Sequence, residues 1–539
     1  MSWNCIYFGI CVRTLMRTCF AVVLLSLMAR SMFAESCKVV HRSEPSDADT
    51  ALLTGNYELA TGLYQSALTL RPGDTNAIIG LVHALLKRQR LQAAADALQT
   101  FSTSTPDSPA LMSLRGELEL RQGEPQKAAE AAVASVKLDP CNPRTLFLLS
   151  RLEDLNSLYA TARKMLMSAH QLDPEDPQIR AAWIKTLPAD QRISEMQAYL
   201  AAPNGDSADE RRDLQTDLDR FKAWATVPRK PCTMVSTETK VDMPLAPIVG
   251  NSDRTVAYGL GAKVNDRAVR LLIDTSYNAR LPIDGASGVL VSRAVARQAG
   301  LKAIYQDDVL GTGGQPPRSG FVAIADSIAI GPVEFHNCAV QVMDVAFANG
   351  AEGIIGMDIL SSYLVTLDFP ARKMTLEMLP ARPEGIASTN GLYNRYIAPE
   401  MKDYHPIYRS GSDLILPVSA NGKPPMLFVA DTAVGYSFFS PGVAYEVLNG
   451  RKNPKYEDRD ALGKMDSSIT LNNVQLSFAG ISWNEAVMGG FDTSPFTDDS
   501  GMEISGLVGL RTISRMTIHI DYRDGLMKID LDPKSKSLF

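Results

Sequence analysis

Histidine is scarce in this 539-residue chain. The six present, His41, His83, His170, His336, His405 and His519, fall at no metal-ligand spacing. There is no His-Glu-x-x-His, no Gly-Lys-Ser/Thr loop for phosphate, and no Gly-x-Ser-x-Gly elbow, since Gly285-Ala286-Ser287-Gly288 does not fit it. The motifs of zinc peptidases, nucleotide hydrolases and serine hydrolases are thus missing, and no metal or organic cofactor is expected. Basic runs are missing too. Lys and Arg total 54 against 60 Asp and Glu, a net charge of −6, which gives nucleic acid no electrostatic reason to bind. Long apolar runs are absent: residues 19–29 (CFAVVLLSLMA) are too short for a comfortable membrane span. Beyond residue 34 only Cys37, Cys141, Cys232 and Cys338 remain. They are too scattered to read as a disulfide framework, so unpaired thiols and a single bridge both stay open.

What is present divides the chain into about three domains. Arg13 and Arg17 precede the apolar stretch, and Met32-Phe33-Ala34 follows it, which predicts a signal segment over 1–34 cut after Ala34. An uncleaved N-terminal membrane anchor is the alternative. Glu35 stands where lipid attachment at Cys37 would need a small residue.

Residues 47–226 are helical in pattern. Pro72, Pro106, Pro140 and Pro174 recur every 34 residues, as do Ala67, Phe101, Ser135 and Ala169. Gly55 and Gly123 keep the same period, with Gln89 and Ser157 in the intervening places. This helix–turn–helix period resembles tetratricopeptide repeats. The resemblance implies a superhelix whose concave face takes a peptide or protein partner. Residues 208–224 read as a closing amphipathic helix, and 227–240, with Pro228 and Pro231, as a linker.

From 241 onward the pattern is of short β runs with Gly and Pro turns. Two stretches repeat without a gap. Gly353-Ile354-Ile355-Gly356 leads to Leu367-Asp368-Phe369, and Gly506-Leu507-Val508-Gly509 leads to Ile520-Asp521-Tyr522, at a constant offset of 153 residues. Upstream of each, an apolar strand ends in Asp-Thr, at Asp274-Thr275 and Asp431-Thr432. The duplication predicts two lobes, 241–380 and 413–539, joined by 381–412. Each lobe would bring one carboxylate to a shared site.

An apolar strand ending in Asp-Thr, with a later apolar-apolar-Gly strand behind it, resembles retropepsin-like and pepsin-like aspartic proteases. The whole arrangement is similar to bacterial exported proteins that join tetratricopeptide repeats to two such lobes. The fold so implied is multidomain α + β: an N-terminal α-solenoid followed by two homologous all-β lobes. The resemblance implies peptide-bond hydrolysis by Asp274 and Asp431, with Thr275 and Thr432 bracing the loops across the lobe interface. It also implies extended peptides or unfolded protein as substrate and a periplasmic or extracellular location.

Both loops depart from the family pattern. Ser276 and Ala433 stand where the family has Gly. Nine residues separate Thr275 from Gly285-Ala286-Ser287-Gly288, which creates a rival candidate in Asp284. Gly311, Thr312, Gly313 and Gly314 form the candidate flap, with a lesser equivalent at Leu462-Gly463-Lys464. Ser292 and Ser440 occupy matching places in the two lobes and read as structural, as do Asp368 and Asp521 near Arg372 and Arg523. The damaged Gly positions keep a second reading open, a peptide-binding scaffold that does not cut.

Overall fold

The structure, a computed structural model, describes residues 37–42, 44–105, 107–227, 232–250, 255–277, 286–309, 318–345, 347–446, 451–452, 457–459, 464–466 and 469–531. The signal segment 1–34, Pro106, Asp284, the flap residues Gly311, Thr312, Gly313 and Gly314, and Leu462 and Gly463 lie outside these residues.

Helices fill the N-terminal part: α1 (Asp47–Leu53), α2 (Tyr57–Leu70), α3 (Thr75–Lys87), α4 (Leu91–Ser102), α5 (Pro109–Arg121), α6 (Pro125–Leu138), α7 (Pro143–Leu155), α8 (Tyr159–Leu172), α9 (Pro177–Ile184), α10 (Ala189–Ala201) and α11 (Ala208–Ala225). No described helix is long and apolar enough to cross a membrane. Asn56, Asp74, Ser108, Asn142 and Asp176 cap helix N-termini with their side chains, which is why the repeats break where they do. Gly55, Gln89, Gly123 and Ser157 each end the first helix of a pair in the left-handed region, at φ of 80°, 56°, 74° and 56°. The sequence replaces two of these glycines, yet the turn geometry is the same in all four.

Ion pairs link the first helices of successive pairs. Arg144 of α7 donates to Glu117 of α5 at 2.7 Å, meets Asp176 ahead of α9 at 3.1 Å, and lies 3.0 Å from His83 of α3. Arg42 adds a pair to Asp173 at 2.6 Å. Glu117 and Asp176 are held below the usual carboxylate range: burial works against this, and Arg144 outweighs it. The last helices return to the first. Gly205 N–H donates to Leu53 O, Tyr57 OH donates to Gly205 O, and Lys87 pairs with Glu210 at 2.8 Å. These contacts tie the helices of successive repeats to one another.

Two β lobes follow. The strands that position the site in the first are β1 (Lys240–Pro244), β2 (Thr255–Val264), β3 (Arg267–Asp274), β4 (Ala286–Ser292), β5 (Arg318–Ile330), β6 (Val333–Met343), β7 (Gly353–Gly356), β8 (Tyr363–Asp368) and β9 (Lys373–Met378). In the second they are β10 (Asp413–Ala420), β11 (Met426–Asp431), β12 (Phe438–Phe439), β13 (Ile469–Phe478), β14 (Ile481–Gly490), β15 (Gly506–Gly509), β16 (Met516–Asp521) and β17 (Leu526–Leu531). One six-stranded sheet takes strands from both lobes: β16 pairs antiparallel with β8, flanked by β17 on one side and by β9 and β1 on the other. Its apolar face belongs to one large core that also holds Ile273, Ile355, Ala430 and Val508.

Several expectations need correction. All four cysteines are paired, Cys37–Cys141 and Cys232–Cys338, each pair more than 100 residues apart in sequence. Such pairing depends on tertiary docking that cysteine spacing does not show. Part of the expected linker belongs to the first lobe, because Thr233 and Met234 pair with β6 beside the Cys232 bridge. Strand β13 continues through Asn473 at φ 55°. Asn tolerates that conformation, so the ladder kinks without ending. Asp521 Oδ1 accepts the Arg523 and Asp524 N–H groups, and Arg523 pairs with Asp524. Ser292 and Ser440 each accept an N–H at the start of a short helix.

Cys37→Ser and Cys141→Ser are each expected to lower the unfolding free energy by about 2–4 kcal/mol, since the bridge closes a long loop in the unfolded chain. A urea midpoint unchanged from wild type in both variants would show that the bridge adds nothing.

Candidate active site

Each lobe builds one half of the site in the same way. Strand β3 runs parallel to β7, pairing Leu271 with Gly353 and Asp274 with Gly356. Strand β11 runs parallel to β15, pairing Phe428 with Gly506 and Asp431 with Gly509. The register is identical. The glycines are required by close approach: a Cβ on Gly353 would stand 2.2 Å from Leu290 O, and one on Gly509 would stand 2.1 Å from Tyr436 O. Apolar residues between them fill the core, so Gly-apolar-apolar-Gly is the only pattern that threads this gap.

The strand ends meet at the lobe boundary. Thr432 Oγ1 accepts the Thr275 N–H at 3.1 Å and donates to Ile273 O at 2.9 Å. Reciprocally, Thr275 Oγ1 accepts the Thr432 N–H at 3.2 Å and donates to Ala430 O at 2.7 Å. Both threonines are buried, so each lobe's loop is completed by the other's hydroxyl.

The structure brings Asp274 and Asp431 together at this crossing, 3% and 4% exposed. Asp274 Oδ1 accepts the Ser276 N–H at 2.8 Å and the Ser276 hydroxyl at 3.0 Å. Asp431 Oδ1 accepts the Ala433 N–H at 2.8 Å and the Val434 N–H at 3.2 Å. Alanine in place of glycine thus leaves the backbone bond to the carboxylate intact. Burial first, and then the charge of Asp431, push Asp274 above the usual carboxylate range. Burial raises Asp431 as well, against the Ala433 and Val434 N–H groups and the Ser276 hydroxyl. The two carboxyls are electrostatically one unit and titrate as a pair. Such a pair holds one proton readily and gives up the second charge reluctantly.

Several residues around the dyad escaped sequence reasoning. Ser437 Oγ accepts the Gly509 N–H at 3.2 Å and lies 2.9 Å from Thr512 Oγ1. Both hydroxyls reach the buried carboxyl of Glu485, which burial raises. No sequence signal links these three positions. Asp358 follows β7 directly, is raised by burial, and has Oδ1 without a hydrogen-bond partner among the described residues. A signal for it existed: the second copy of the repeated stretch has Arg511 in its place. Val434, next to the Asp431 loop, packs in one cluster with Leu120, Leu148 and Leu152 of the helical array. The array therefore seats directly behind the second-lobe loop, while Trp224 of α11 packs on Val322 and Ala339 of the first lobe. Among the described residues no three His, Cys, Asp or Glu side chains gather as a metal-binding group.

Residues 260–359 match the family model of an aspartyl protease, and residues 51–118 that of a tetratricopeptide repeat. No curated protein sequence matches the chain. Similar solved structures include an aspartic proteinase from Irpex lacteus, at 12% identity and a TM-score of 0.32, covering 55% of this chain and 99% of that one. They also include a thermophilic TPR protein from Thermus thermophilus, at 19% identity and a TM-score of 0.27, covering 32% of this chain and 95% of that one. The chain thus carries an aspartyl protease domain together with tetratricopeptide repeats.

Proposed function

We propose that the chain is an exported aspartic-type endopeptidase whose dyad is Asp274 and Asp431. The observation that carries this reading is the meeting of two strand ends in identical register, each presenting a buried carboxyl with a raised pKa. Water is a weak nucleophile for an amide. One carboxylate takes its proton while the other, protonated, donates to the carbonyl oxygen. Two carboxyls that share a proton supply both roles at once. The substrate is an extended peptide laid as an added strand across the lobe boundary. The two disulfides support the export reading, because such bonds persist in oxidising compartments. The helical repeats are the proposed surface for a protein partner.

The second reading, a scaffold that binds peptides without cutting them, rests on Ser276 and Ala433 at the two glycine positions. The retained Ala433 N–H bond weighs against it. The experiment is direct: the purified chain lacking the signal segment is incubated with an unstructured polypeptide from about pH 3 to pH 7. Cleavage with a mildly acidic optimum is the expected result. A folded protein that cuts nothing over that range overturns the endopeptidase reading in favour of the scaffold.

A further inference from the structure

The two catalytic loops are copies of one another, but they differ at the residue after Asp-Thr. The second lobe has Ala433, which contributes only a backbone N–H to Asp431. The first has Ser276, which contributes its N–H and its hydroxyl to the same oxygen of Asp274, at 2.8 Å and 3.0 Å. Ser276 is half-buried beside the buried carboxyl of Asp274. The hydroxyl bond favours the charged form of Asp274. The other titratable or charged groups acting on this corner are Tyr277 on the same loop, Asp358 in the first lobe, Arg409 from the interlobe connection and Tyr522 from the second lobe.

We infer that Ser276 is a positioning residue for the dyad: its hydroxyl bonds Asp274, whereas Asp431 is held by the Ala433 and Val434 N–H groups, making two otherwise equivalent carboxyls unequal. This rests on the dyad reading above. The hydroxyl gives Asp274 one more donor, which favours its charged form and weights the shared proton toward Asp431. Glycine or alanine at this position cannot provide that bias. The hydroxyl also lends the pair a donor that is fixed in the protein and not borrowed from water.

The test uses Ser276→Ala and Ser276→Gly in the full mature chain. Both remove the hydroxyl and keep the N–H that bonds Asp274, and the glycine variant controls for the effect of a Cβ. Both are expected to lose about tenfold in kcat with KM within about twofold. In both, the pH–rate profile should move to higher pH by about half a unit or more, because a bond that favoured the charged form of Asp274 is gone. The same upward movement should be read by carbon-13 NMR of Asp-labelled chain, in wild type and both variants, with no substrate present. Carboxyl titrations that coincide in wild type and both variants overturn the inference. The NMR arm does not need cleavage. A wild type that cuts nothing but whose Asp titrations respond to Ser276 would sink the endopeptidase reading and leave this one standing.

Discussion

Asp431→Asn is expected to lower peptide cleavage by about 1000-fold or more while leaving the fold intact. An asparagine has the same shape, and its carbonyl oxygen still accepts the Ala433 and Val434 N–H groups that hold Asp431. It cannot take or give the shared proton. The same change carries a stability signature of definite sign. Asp274 and Asp431 are both raised, burial being the larger cause for each. A carboxyl whose folded pKa exceeds its unfolded value contributes stability that is fully present below about pH 4 and is lost as pH rises through the folded value. Replacing one of the pair with a neutral group removes that loss. Asp431→Asn should therefore melt with wild type at pH 3 and above it at pH 7. A variant that still cuts at the wild-type rate would remove Asp431 from the mechanism. One that melts lower than wild type at pH 7 would show that the carboxyl is stabilised there and not strained.

The parts of this site that were legible in sequence are those where sterics leave few residue types. Gly353, Gly356, Gly506 and Gly509 stand out because a Cβ at any of them would overlap backbone. Thr275 and Thr432 stand out because each supplies a hydroxyl to the other lobe's backbone. The 34-residue period was legible through its recurring prolines and turn glycines, and the turns stay left-handed even where Gln89 and Ser157 replace glycine. The seating of the array was not. Leu120, Leu148 and Leu152 have the spacing of repeat-to-repeat packing, and nothing in that pattern distinguishes a neighbouring helix from a second-lobe strand. The same holds for Cys37 and Cys141, which become neighbours only once residues 37–42 dock beside α8 through the Val40 N–H and Leu172 O.

That seating carries the other large expected effect. Ile504 is fully buried in a cluster that joins Leu120, Leu148 and Leu152 of the array to Val434, Phe438 and Leu507 of the second lobe. Its neighbours are fixed to both sides: Glu503 N–H donates to Arg121 O of α5, and Ser505 N–H donates to Leu427 O of β11. Gly506 then begins the strand that ends opposite Asp431. Ile504→Ala is expected to cost about 3 kcal/mol, the loss of buried methylenes plus the cavity left behind. Leu70→Ala is the control. Leu70 lies at the end of α2 with 83% exposure, so its truncation should change stability by less than about 0.5 kcal/mol. The decisive measurement is kcat under conditions where Ile504→Ala remains folded. If the array only shelters the lobes, kcat per folded molecule stays at the wild-type value. If it holds the Asp431 loop in place through Val434 and β15, kcat falls by about tenfold or more, since a displacement near 1 Å at the reacting groups has that scale of effect. The second result is expected, because the loop's apolar support on that side comes from helices outside the lobe.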